Sequence, residues 1–240
     1  MIRRLIIIIL TLLLSLRISY SRDLKSAIVD KVLKQLQIND TDCYFKFVTE
    51  QIIPYSLEKS VIVIPKIINK DEESFLCDLY ILIVSNSTGM ILSKFYEQRA
   101  LISDATYIDK ISIDFAPYIL SLSTRAFGLR VLYYGSSRPY PWEEEVISLF
   151  IPKGKLLIRV LKNYTLSLYS GESDTQCKGK FERKKGIIIM SDSISNTYSD
   201  IIVRNEITTT INTVIDNDCI GTDSIIKKTI ILKFNNKEYK

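Results

Sequence analysis

The segment 125–190 limits the fold more than any other part of the chain. It carries four apolar runs, and its interruptions, counted back to Pro117, hold four of the six prolines and the only tryptophan. Short apolar runs punctuated in this way read as consecutive antiparallel strands joined by hairpins. The rhythm continues on both sides. Runs at 43–48, 61–68, 77–84, 90–96, 105–115, 127–134, 146–151, 156–160, 164–169, 187–190, 201–214 and 229–234 are rich in β-branched and aromatic residues, which fit a pleated, half-buried surface. The expected fold is mainly β: an antiparallel single-domain β-sandwich or barrel-like unit over 41–240. A small propeller is the alternative, since no repeat has a fixed signature. Pro65 lacks a ladder donor and predicts an edge strand or a bulge. Gly128, inside a strand pattern, predicts a bulge or a close backbone approach.

Only 22–40 departs from this pattern. Leu24, Ala27, Ile28, Val32, Leu33 and Leu36 recur at helical spacing, so the expectation is one N-terminal helix lying across the β domain and covering an edge or an end of it.

Ahead of that helix, Arg3 and Arg4 precede an apolar core at 5–14, and Ser19-Tyr20-Ser21 offers small residues at the two positions a signal peptidase reads. These are the three parts of a secretory signal over 1–21, cut after Ser21. The core is shorter than the roughly 20 residues that span a bilayer, so no integral membrane span is expected after cleavage. The expected location is periplasmic or secreted. A leader that carries Arg3, Arg4 and Arg17 and no acid lowers the formal net charge from +5 to about +2 when it is removed. That balance gives no basic field for nucleic acid, and the groups Arg183-Lys184-Lys185 and Lys227-Lys228 read as solvated strand edges that discourage strand addition. Four cysteines in an exported chain predict disulfides. Of the three possible pairings, Cys43 with Cys77 and Cys177 with Cys219 is preferred because both bridges are local.

The chain has no histidine. Ser/His/Asp and Cys/His nucleophilic sites, helix-borne zinc protease motifs and most transition-metal sites are therefore excluded. The eight glycines never fall into dinucleotide or P-loop spacing, and no cofactor is expected. Ser56 to Lys59 and Ser224 to Lys227 match Ser-x-x-Lys, but the companion motifs of a penicillin-binding site are missing. Asp104, Asp109 and Asp114 stand five apart rather than on alternate residues, which suits surface charge better than a calcium loop.

Two loops remain. Arg138, Tyr140, Trp142 and Glu143 cluster in one, and Glu172 and Asp174 in the other. Tyr and Trp give large contact area at little entropic cost, so these six residues are the candidate binding patch of a non-catalytic protein that contacts another protein or an envelope glycan. The enzyme alternative is a carboxylate-based glycan hydrolase, in which an acid of Glu143-Glu144-Glu145 would face Glu172 or Asp174 across a glycosidic bond.

The runs Ala126-Phe127-Gly128-Leu129-Arg130, Gly135-Ser136-Ser137-Arg138-Pro139, Val160-Leu161-Lys162-Asn163-Tyr164 and Gly171-Glu172, with Asp174, Thr175 and Cys177, resemble exported proteins of Gram-negative bacteria, a group with no established activity. The resemblance covers roughly 60–190 and the closing segment 233–239. It implies export and a single β-rich unit, and it implies no mechanism.

Overall fold

The computed structural model describes residues 26–240; the expected leader at 1–21 and the start of the expected helix at 22–25 lie outside the described residues. Helix α1 spans Ala27–Leu36. Ser26 caps it by accepting the Val29 N–H at 3.1 Å, Asp30 and Lys34 sit at the ends that the helix dipole favours, and Gln37 ends it in the left-handed region at φ 56°. The helix is therefore shorter than the expected 22–40. The chain beyond it makes two single 3-10 turns, Asp40–Asp42 and Phe45–Phe47. The run 43–48 is not a strand, because Tyr44 and Phe47 turn inward to pack on Phe75, with Tyr44 edge-on at 4.8 Å.

Eleven strands follow: β1 Thr49–Ile53, β2 Ser56–Lys70, β3 Phe75–Ser85, β4 Ile91–Ser103, β5 Thr106–Ser121, β6 Thr124–Gly135, β7 Trp142–Lys153, β8 Leu156–Ser173, β9 Gly179–Ser195, β10 Tyr198–Ile215 and β11 Asp218–Leu232. They form one sheet. The path β1-β2-β3-β4-β8-β7-β6-β5 curls until β5 lies beside β1, giving a nearly closed barrel. Of the alternatives open to the sequence, the barrel is the one formed. Every pairing is antiparallel except β4 with β8, which meet in parallel at a single position, Lys94 opposite Leu156. There the barrel wall is held by side chains: Arg159 makes a two-pronged bond to Glu97 at 2.6 and 2.9 Å.

β8 shows why two expected strands are one. Asn163 adopts φ 42°, the register against β7 slips on either side of it, and its N–H and Oδ1 both bond Ser148 Oγ at 2.9 Å. The runs 156–160 and 164–169 are the two limbs of a strand bent at that bulge. The first limb is barrel wall. The second leaves the barrel and pairs with β9, starting a three-stranded arm of β9, β10 and β11.

Three apolar clusters follow from this layout. Val61, Val63, Ile81, Leu101, Phe127, Leu129 and Phe150 fill the barrel. On its outer surface, Ile147, Leu149, Leu161, Ile201, Val203, Leu232 and Phe234 pack the base of the arm and the C-terminal tail onto β7 and β8. On the other side, Val32 and Leu33 of α1 cover Ile62, Ile64, Leu82 and Val84. β2 and β3 are thus buried on both faces, which explains their continuous rather than alternating apolar runs. Burying one such Leu or Ile side chain stabilises the fold by about 1.5–3 kcal/mol. The helix covers a face of the barrel, not an edge or an end. Pro65 sits past the last residue of β2 paired with β1, on an edge met among the described residues by the Tyr44 N–H and the Cys43–Lys66 bridge, as a missing donor requires. At Gly128, a Cβ would lie 3.0 Å from Ile147 Cδ1 and 3.1 Å from Asp114 Cβ, so the close approach is real.

Cys177 and Cys219 form a disulfide that ties the β8–β9 turn to the start of β11. The expected bridge from Cys43 to Cys77 is not formed. Both residues are buried, but Cys43 belongs to the cluster under α1 and Cys77 to the barrel interior. They lie on opposite faces of the sheet, and no rotamer joins them. Among the described residues no helix is long and apolar enough to cross a membrane.

Candidate ligand-binding site

The two loops singled out in the sequence do meet. The Gly171 N–H donates to Pro141 O at 3.1 Å and the Ser173 N–H to Pro139 O at 2.8 Å. The contact is side by side, continuing the β7–β8 ladder, so Trp142 lies opposite Ser170 and the loops do not face each other across a cleft. Trp142 packs over Gly135, where a Cβ would come within 3.3 Å of it. Glu143 lies opposite Tyr134, whose hydroxyl is raised above the ordinary range by burial and by that carboxylate. Glu172 stands opposite Lys180 of β9. Arg138 and Tyr140 are exposed on the loop. Asp174 shapes the turn that presents Cys177 to Cys219. Its Oδ1 accepts the N–H groups of Gln176 and Cys177 at 2.9 Å, and the Gln176 bond leads the causes that hold its carboxyl below the usual range.

The other acids are also engaged. Glu143, Glu144 and Glu145 alternate between the faces of β7. Glu144 accepts the Thr165 hydroxyl at 2.6 Å, while Glu145 binds Arg130 at 2.8 Å. Arg130 also binds Asp114, which accepts the Tyr118 hydroxyl at 2.6 Å and the Ala116 N–H at 2.8 Å. Burial pushes Asp114 up, but its bonds from Tyr118, Ala116 and Arg130 outweigh that and hold it below the usual carboxylate range. Glu145, Arg130, Asp114 and Tyr118 brace the outer face of the barrel, and Glu144 lies on the other face. Among the described residues no group of three His, Cys, Asp or Glu side chains could hold a metal ion.

A different site stands at the end of the barrel where the β1–β2, β3–β4, β5–β6 and β7–β8 turns come together. A cavity of about 400 Å³ opens there, walled by Ile53, Ile83, Leu92 and Phe127 and rimmed by Tyr55, Lys59 and Arg125. Its volume is in the range of small-molecule pockets. Ser93 Oγ donates to Gly154 O at 2.8 Å and the Lys94 N–H to Lys155 O at 3.1 Å, closing the wall between β4 and β8 beside it.

Arg125 is the unusual member. One of its terminal nitrogens, Nη2, donates to Phe115 O at 3.0 Å, and its Cζ stacks 3.9 Å from the centre of the Tyr55 ring. Its Nε is buried with no hydrogen-bond partner among the described residues. Arg159, the arginine at the β4–β8 seam, is matched by Glu97; Arg125 has no carboxylate partner among the described residues. Tyr55 is raised above the ordinary tyrosine range, because burial outweighs the lowering effect of Arg125. A half-buried, stacked guanidinium with an unused Nε donor, set above apolar walls, is built to receive an acceptor, and an anionic one by preference.

None of the six candidate residues in the loops lines this cavity. The signal that would have found it is alternation. Phe127, Leu129 and Val131 point into the barrel, so position 125 of the same strand points inward too, as does Lys59 two residues ahead of Val61 and Val63. A cation at an inward position marks a mouth. Comparisons of the chain with protein-family models, with curated proteins and with solved structures return no match.

Proposed function

We propose that the chain is an exported, non-catalytic binding protein whose ligand is a small molecule with an anionic head and an apolar body, held in the barrel mouth with its head on Arg125. The observation that carries this reading is the buried Arg125 Nε with no acceptor, at the rim of a cavity of about 400 Å³ with apolar walls. A charge-assisted hydrogen bond there contributes about 1.5–3 kcal/mol. Export is supported by the leader pattern at 1–21 and by the Cys177–Cys219 bridge, since disulfides persist in oxidising compartments. Binding rather than catalysis is supported by the lack of histidine and by the structural engagement of Asp114, Glu144 and Glu145. The paired loops carrying Arg138, Tyr140, Trp142, Glu143, Glu172 and Asp174 are a separate candidate contact for a protein or envelope glycan, favoured by the Ser173 to Pro139 bond that brings them together.

Calorimetric titration with decanoate and with decanol tests the small-molecule reading. Decanoate should bind the native protein, and Arg125→Ala should weaken it by roughly tenfold or more while leaving decanol unchanged. Equal loss for both ligands, or no decanoate binding to the native protein, would refute the role of the guanidinium.

A further inference from the structure

The arm ends in an edge strand. Among the described residues β11 pairs with β10 and with no other strand, and it is exposed from Asp218 through Thr229. Its apolar residues include Ile220, Ile225, Ile226 and Ile231, each more than two fifths exposed. An edge this long with isoleucines on it is a template for strand addition, and the geometry defines which addition fits.

The β10–β11 turn holds two residues, Asp216 at φ 52° and Asn217 at φ 69°, and is closed by Ile215 opposite Asp218. In a two-residue hairpin of this kind the closing pair exchanges both main-chain bonds. The register runs unbroken from there to Ile201 opposite Leu232. Even-numbered residues of β11 therefore spend their N–H and C=O groups on β10, and odd-numbered residues, from Cys219 to Ile231, point theirs outward. Two antiparallel copies of this edge can meet only with odd opposite odd, so a two-fold axis must pass through a residue and not between two.

Among those registers one stands apart. With the axis at Ile225, Asp223 of each copy lies opposite Lys227 of the other, Ile220 lies opposite Ile230, and no like charges oppose. Moving the axis to Ser224 sets Asp223 against Ile225, moving it to Ile226 sets Asp223 against Thr229, and moving it to Lys227 or Lys228 sets lysine against lysine. We propose that β11 pairs with β11 of a second copy of this chain about a two-fold axis at Ile225, joining two arms into one six-stranded sheet. The seven outward-facing residues of each copy then pair to form up to about fourteen new main-chain hydrogen bonds across the axis, with two Asp223–Lys227 pairs fixing the register. The interface is isologous and closes on itself as a dimer, which removes the exposed edge without making a fibre. The Lys227-Lys228 pair then has a second role besides solubility: it penalises every axis that would centre on it.

Sedimentation equilibrium of the purified protein is the test. The native chain should sediment as a dimer. Asp223→Lys and Lys227→Asp, each placing like charges opposite one another, should weaken self-association by roughly tenfold or more, and the double variant carrying both should restore it. Gly221→Pro gives an independent check, since it deletes an outward N–H without touching the β10 ladder, and it should also weaken the dimer. A monomeric native protein overturns the proposal, as does a dimer that tolerates both single reversals, or one that the paired reversal fails to restore when circular dichroism shows the variants folded.

Discussion

Replacing both Cys177 and Cys219 by serine isolates what the bridge does for the arm. The disulfide closes a loop with a sequence separation of 42, which contains all of β9 and β10. In the chain-entropy picture a loop of that length restrains the opened state by about 4 kcal/mol, an upper figure because strain and residual structure reduce it. The loop contains almost nothing of the barrel interior, whose cluster draws on β1 to β8 and on Phe47. An opened state with the arm undocked and the barrel intact is therefore available, and the bridge raises its free energy. Its loss should speed amide exchange in β10 and β11 by up to about a thousandfold, the same 4 kcal/mol expressed as a ratio. The urea midpoint should fall as well, with an unchanged slope, because the globally unfolded chain regains the same freedom. The measurement is exchange of the double serine variant against the native protein, read strand by strand. If the arm amides accelerate by less than tenfold and the midpoint stays put, the base of the arm already restrains the loop through Ile201, Val203 and Leu232, and the entropic argument fails.

Two further outcomes follow from the buried polar groups. Asp114 and Glu97 are both held below the ordinary carboxylate range, Asp114 because bonds from Tyr118, Ala116 and Arg130 exceed the effect of burial, and Glu97 by its bond to Arg159. A lowered folded value stabilises the native state above the unfolded value, and that stability is lost as pH falls through the folded one. Urea midpoints should thus fall on acidification below about pH 4, and Asp114→Asn should flatten the fall; an unchanged slope in that variant would show the Arg130 cluster to be uncoupled from folding. Burial, followed by the neighbouring Asp78 carboxylate, pushes the Cys77 thiol up to about 11. Iodoacetamide at pH 8 should leave Cys77 unmodified in the native protein and label it in urea, and rapid native labelling would contradict its place in the barrel core.

How much of this could be read from the sequence depends on which physical cue set each feature. The apolar runs of β2, β3, β6 and β7 were legible because burial on one or both faces leaves its mark on every residue of the strand. The Cys177–Cys219 bridge was legible from parity and proximity in the chain, whereas the matching argument failed for Cys43 and Cys77, because nearness in sequence says nothing about which face of a sheet a thiol occupies. The arm was the larger miss. Gly179–Ser195 and Asp218–Leu232 were expected only as short pieces at 187–190 and 229–234, since most of β9 and β11 is exposed on both faces and carries Lys, Thr, Asp and Ser where a core strand would carry Val. Such strands are held by ladder bonds and one disulfide, and neither leaves an apolar period to find. The same reasoning accounts for the mouth of the barrel. The loops at 138–145 and 172–174 attracted attention by composition, yet what distinguishes Arg125 is the direction of its side chain, inherited from the alternation that puts Phe127 and Leu129 inside. A binding residue placed by the phase of a strand is invisible to a search for motifs and becomes visible only when each strand's inward phase is followed past its last apolar residue.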